Sequence, residues 1–123
     1  MSLSSPPNGE WATRALIDTG SPLTVFDRGA ADALGIRIGN TGAETGEIAL
    51  LGKTRYVQFE IVDLCLLRDP SLAWTARVAF IKDPQFQMAF QGILGTEGFL
   101  DRFAVIFNKH YDWFEVCPAD EQQ

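Results

Sequence analysis

Ala15-Leu16-Ile17-Asp18-Thr19-Gly20-Ser21-Pro22-Leu23-Thr24-Val25-Phe26 is the stretch on which the fold turns. Residues 15–17 are the apolar end of a buried-looking strand. Asp-Thr-Gly-Ser-Pro interrupts it, because each of these residue types favours turn backbone. Residues 23–26 then resume an extended apolar segment. Asp27 has the short acceptor side chain that caps a helix over residues 28–34, and Gly35 closes it. Asp18 thus ends a buried strand and is followed by two hydroxyls and a glycine. Such a turn holds a carboxylate rigidly, with hydroxyl and backbone N–H donors near its oxygens. The plain alternative is an ordinary Asp-Gly turn between two strands. Asp-Thr-Gly alone arises by chance in about one chain in forty of this length.

Outward from this stretch, residues 1–10 are rich in Ser, Pro, Gly and Asn and read as a flexible lead-in. Ser4-Ser5-Pro6-Pro7-Asn8-Gly9 makes a poor strand, since proline removes ladder donors. Residues 11–17 read as a strand, and three glycines punctuate a loop over 39–46. Residues 48–51, Gly52-Lys53 and residues 54–67 describe a hairpin with a long return strand. Within it Val57, Phe59 and Ile61 alternate with Gln58, Glu60 and Val62. Asp69-Pro70 and Asp83-Pro84 mark turns flanking a strand over 74–81. The apolar run 90–94 stops at Gly95, a short helix follows over 96–102, and residues 103–107 and 113–116 close as a strand pair. The pattern predicts an all-β fold, a small closed β-barrel with one or two short helices. It spans residues 11–117, with 118–123 as a tail.

A chain of 123 residues, 46% of them hydrophobic, fits one domain with a real core. Its formal net charge of −6 argues against a nucleic-acid partner. No apolar run reaches the ~18 residues a membrane span needs, and residues 1–10 have no secretion-signal pattern. Cys65 and Cys117 are too few for a disulfide framework and lack metal-ligand spacing. The expectation is a cytoplasmic domain with no metal and no membrane partner. Histidine chemistry would have to be built on His110 alone, which sits in the polar turn Asn108-Lys109-His110-Tyr111-Asp112. Gly92-Ile93-Leu94-Gly95 lacks the lysine of a phosphate loop. Carboxylate chemistry remains, and Asp18 is the carboxylate whose context stands out.

The segment from Ala15 through Asp18-Thr19-Gly20-Ser21 and Leu23-Thr24-Val25-Phe26, ending in Ala33-Leu34-Gly35-Ile36, resembles the active-site segment of the retropepsin-like aspartic proteases. Gly92-Ile93-Leu94-Gly95, followed by Phe99-Leu100-Asp101-Arg102-Phe103, resembles that family's second signature. Both come in the family's order, with a hairpin between them where the family has its flap. The resemblance covers nearly the whole chain and implies a barrel of the acid-protease type.

It also implies a mechanism. The family's site needs two Asp-Thr-Gly segments, and of nine aspartates here only Asp18 is followed by Thr-Gly. A site would therefore require a homodimer, with one Asp18 from each chain on the twofold axis. The resemblance makes Asp18 the general acid/base and sends the Thr19 hydroxyl across the axis to the partner's backbone. Gly20 allows the tight turn, and Ser21 donates to the outer oxygen of Asp18. That last donor would favour the ionised carboxylate and shift activity to lower pH than in Ser21→Ala. Leu51, Gly52, Lys53 and Thr54 would form the flap tip, and Leu23 and Ile93 the apolar pocket walls. Substrate would be an extended peptide or protein segment, and no cofactor is needed. A different class of reading keeps the barrel without turnover, as an inactive or monomeric module that binds extended peptides.

Overall fold

The computed structural model describes residues 1–4, 10–88 and 90–119. In chain order its elements are β1 (Ser2–Ser4), β2 (Glu10–Ala12), β3 (Ala15–Ile17), β4 (Val25–Phe26), α1 (Arg28–Ala33), β5 (Thr45–Leu50), β6 (Lys53–Leu66), β7 (Asp69–Ile81), β8 (Gly92–Leu94), β9 (Phe103–Asn108) and β10 (Trp113–Pro118). The long antiparallel pair β6–β7 is the spine, in register from Val57 opposite Ile81 to Cys65 opposite Ala73. Around it the sheet runs β2-β1-β6-β7-β4-β8-β3, with β5 also paired to β6. The result is mostly β, a curled half-barrel with one helix.

Alternation along β6 and β7 explains the core. Val62 and Leu64 on β6, with Ala76, Val78 and Phe80 on β7, pack against Phe26, Leu34, Leu94 and Phe99. A smaller cluster of Val25, Val57, Ala79 and Ile81 sits on the opposite face. Asp27 caps α1, its carboxylate accepting from the Ala30 N–H at 3.1 Å, and buried Ala30 and Ala31 seat the helix.

Several expectations need correction. The barrel is not closed. Among the described residues β9 and β10 pair only with each other, and the strands at the two ends of the sheet path, β2 and β3, are three residues long. Such short edges offer few ladder bonds, so the β9–β10 hairpin satisfies its own backbone and anchors through Phe103, Val105 and Val116 instead. The flexible lead-in is not what residues 1–4 form: β1 lies between β2 and β6, with Leu3 fully buried opposite Leu64. Residues 5–9 of that lead-in and 120–123 of the tail lie outside the described residues. The strand expected over 11–17 breaks at Thr13–Arg14 into β2 and β3. The turn placed at Asp69-Pro70 falls at Leu67-Arg68, after a register shift at Cys65–Leu66. The helix expected over 96–102 is a series of turns. Gly98 adopts φ 95°, which no helix accommodates, and Glu97 bridges to Leu23.

Among the described residues no helix is long and apolar enough to cross a membrane.

Candidate functional site

The Asp18 turn is built by a strand crossing. β8 inserts between β3 and β4, parallel to the first and antiparallel to the second. Leu16 faces Ile93 on one side, and Val25 faces the same Ile93 on the other. Beyond β8 the chain passes under the loop that carries Asp18. Thr96 N donates to the Ser21 carbonyl at 2.8 Å and Glu97 N to the Pro22 carbonyl at 3.0 Å. Thr24 N returns a bond to the Glu97 carbonyl at 3.1 Å. This crossing explains the glycine at position 95. A Cβ there would run into the Leu23 carbonyl oxygen and lie 2.6 Å from that of Ser21. Only a residue without a side chain lets the two loops meet.

Asp18 is held from both ends. Its N–H donates to the Leu94 carbonyl at 3.0 Å, its own carbonyl accepts from Ser21 N at 3.1 Å, and its Oδ1 accepts from Gly20 N at 2.9 Å. The side chain is half-buried, and Thr19 and Gly20 beside it are exposed. The Thr19 hydroxyl has no hydrogen-bond partner among the described residues, so it is available to a neighbouring molecule. Ser21 corrects an expectation. Its hydroxyl donates to the Leu23 carbonyl at 2.7 Å, and it is the Gly20 N–H that serves the Asp18 carboxylate. Ser21 therefore braces the turn, and the acid shift expected from its donation loses its basis.

The hairpin β5–β6 has a two-residue tip, Leu51-Gly52. Both tip residues have positive φ, 52° for Leu51 and 77° for Gly52, as a type I′ hairpin turn demands. Leu51 is 77% exposed, and Gly52, Lys53 and Thr54 are exposed beside it. Leu23 packs with Ile48, Leu50, Phe86 and Met88 against the smaller core cluster. Ile93 is half-buried in β8 and belongs to neither cluster. The structure thus joins Leu23 to the inner face of the hairpin and keeps Ile93 in the crossing.

Sequence reasoning missed Ile48, Leu50, Phe86, Met88 and Arg55 as lining residues. The alternation Gly46-Glu47-Ile48-Ala49-Leu50 carried the signal for the first two. The other three depend on a register that local pattern does not encode.

Arg77 ties the hairpin's root to the crossing. Its guanidinium lies 3.7 Å from the centre of the Phe59 ring, bridges to Glu97 at 3.0 Å, and pairs with Glu44 just before β5. The hydrogen bond that Arg77 donates to Glu44 holds the guanidinium above the ordinary arginine range, opposed by burial and reinforced by Glu97. A recess on β9–β10, lined by Phe107, Lys109, Trp113 and Phe114, contains no residue of the Asp18 turn. Among the described residues no three His, Cys, Asp or Glu side chains converge as metal ligands would.

Comparison of the chain with protein-family models, with curated proteins and with solved structures finds no match.

Proposed function

We propose that this chain is half of an aspartic-type endopeptidase with a fold of the retropepsin type, completed by a second copy of itself. The observation that carries the reading is the Asp18 turn on its crossing: a half-buried carboxylate fixed by Gly20 N–H, flanked by an exposed hydroxyl with no partner among the described residues. One such carboxylate does not suffice. A carboxyl in water titrates near ~4 and cannot serve as acid and base at one pH. Two carboxylates about 3 Å apart share one proton and titrate as a pair. The ionised member takes a proton from a water held between them as that water attacks the peptide carbonyl carbon. The protonated member gives its proton to the carbonyl oxygen. The resulting tetrahedral diol collapses with proton return to the leaving nitrogen, and no enzyme adduct forms. The Thr19 hydroxyl, reaching across the axis, would fix the two turns in this register.

The hairpin completes the reading. A peptide in extended conformation lies between β5–β6 and the Asp18 turn, its backbone bonded as in strand addition and its apolar side chains against Leu23, Ile48 and Leu50. The hairpin excludes water when it closes. A module that binds extended peptides without cutting them is the second reading, favoured by the presence of a single Asp-Thr-Gly in the chain.

Incubation with an unfolded protein at mildly acidic pH separates the two. The proposal predicts pepstatin-sensitive cleavage with a bell-shaped pH–rate profile, reduced at least about a thousandfold by Asp18→Asn while the protein stays folded and dimeric. A folded protein that binds peptides yet leaves them intact supports the second reading instead.

A further inference from the structure

Residues directly opposite in β5–β6 share a face, so Ile48 lies with Arg55 and Leu50 with Lys53, on the side that also presents Val57. That side is the hairpin's inner face, because Ile48, Leu50 and Val57 all belong to the cluster containing Leu23, Phe86 and Met88. Arg55 is therefore a cation set among apolar groups. Its guanidinium carbon lies over the Phe86 ring, 4.1 Å from the ring centre, a cation–π contact. Its Nε is buried and has no hydrogen-bond partner among the described residues. No carboxylate among those residues pairs with it. The four ion pairs there belong to Arg28, Lys109 and, twice, Arg77. A buried donor left without an acceptor is costly, and proteins seldom keep one without use. Arg77 shows the contrast on the same sheet: it too stacks on a phenylalanine, but two glutamates neutralise it.

We propose that Arg55 is a specificity-determining residue that receives an acidic side chain, Asp or Glu, of the bound peptide. This rests on the reading of β5–β6 as a flap over an extended substrate. A carboxylate matches the planar fork of a guanidinium with two parallel bonds, one of which satisfies Nε. The apolar wall of Phe86, Met88 and Ile48 excludes water from that pair and so strengthens it. Lys53 on the same face is exposed, and solvent and salt screen it. The substrate class is thus an extended peptide with an acidic side chain close to apolar ones. In a protein of net charge −6, Arg55 offers such a ligand a positive charge among apolar groups.

The probe is a set of ten-residue peptides with amidated C-termini, in pairs that differ at one position by Glu or Gln. Each pair is measured for cleavage by the wild-type protein and for binding to the intact Asp18→Asn protein by fluorescence anisotropy. At one position, Glu should improve both kcat/KM and Kd over Gln by about tenfold or more. In Arg55→Gln that ratio should fall to about one, and Arg55→Lys should keep part of it. No Glu preference at any position in the wild type overturns the proposal, as does a preference that survives Arg55→Gln. Because the first criterion is read on the wild-type protein, it stands even where a variant does not fold. Binding with a Glu preference but no cleavage upholds Arg55 and removes the peptidase reading. Cleavage without that preference does the reverse, and neither binding nor cleavage overturns both.

Discussion

The crossing that carries Asp18 and the β5–β6 hairpin obey opposite rules. In the crossing, backbone meets backbone: β8 threads between β3 and β4, and Gly95 leaves no room for a methyl group. At the hairpin tip nothing lies within 4 Å of a Cβ built on Gly52, and Leu51 projects into solvent. The first region spends its sequence on steric fit and holds one carboxylate still. The second tolerates change in shape and carries its information in charge and polarity on one face. Under the proposed function, the first would hold the acid and the second would close over the peptide.

The comparison is broken most directly at Gly95. Gly95→Ala places a methyl group against two carbonyl oxygens, and relief requires the Ser21–Leu23 backbone to move. We expect a loss above about 3 kcal/mol, the upper end of overpacking costs, read as a fall in Tm of about 10 °C or more. A Gly95→Ala protein that melts like the wild type would mean that the crossing is not as close as described.

Trp74 tests the support of the same region from behind. Its indole N–H donates to the Gly98 carbonyl at 2.7 Å, and its ring packs on Phe99 and Phe103 with centroids 5.7 and 4.7 Å away. Trp74→Phe keeps an aromatic ring but loses the bond. It should cost about 1–2 kcal/mol in urea unfolding with an unchanged slope.

The tip should respond in the opposite sense. Leu51 sits at φ 52°, where a residue with a Cβ is strained and asparagine is tolerated. Leu51→Asn creates the Asn-Gly pair that type I′ turns favour. It should stabilise the fold by about 0.5–1 kcal/mol, raising Tm by a few degrees. Under the proposed function it also weakens cleavage of peptides with apolar residues, so stability and activity would part company. A lowered Tm would contradict the turn type.

Ser21 gives the smallest effect. Ser21→Ala loses one bond, to the Leu23 carbonyl, at about 0.5–1.5 kcal/mol. Its pH–rate profile should match that of the wild type, since its hydroxyl does not reach Asp18. A displaced acid limb would restore the donation that the family resemblance implies.

What the sequence disclosed follows the same division. Local chemistry was legible: the Asp18 turn, the Asp27 cap, the β5–β6 hairpin and Gly95 each announce themselves within a few residues. Pairings between distant segments were not. Ser2–Ser4 is too short and polar to look like a strand, yet β6 and β2 on either side give it a ladder. The helix expected at 96–102 followed from composition, but Gly98 takes a left-handed backbone, and a side chain there would crowd Thr24 and the Arg77 carbonyl. The closed barrel was an extrapolation from strand count, whereas β9 and β10 pair apart from the main sheet. Arg55 reads as an ordinary charge on a strand. Only register with Ile48 and contact with Phe86 reveal where it points.

Under the proposed function, two copies each contribute one Asp18 to a shared site. This is tested by mixing wild-type protein with Asp18→Asn protein under conditions where subunits exchange, and following peptide cleavage per wild-type chain. If both carboxylates are required, activity falls to about half at equal amounts and about a quarter at a threefold excess of the variant, as random pairing dictates. Activity that stays constant on addition of the variant, or wild-type protein that cleaves nothing, would contradict the account.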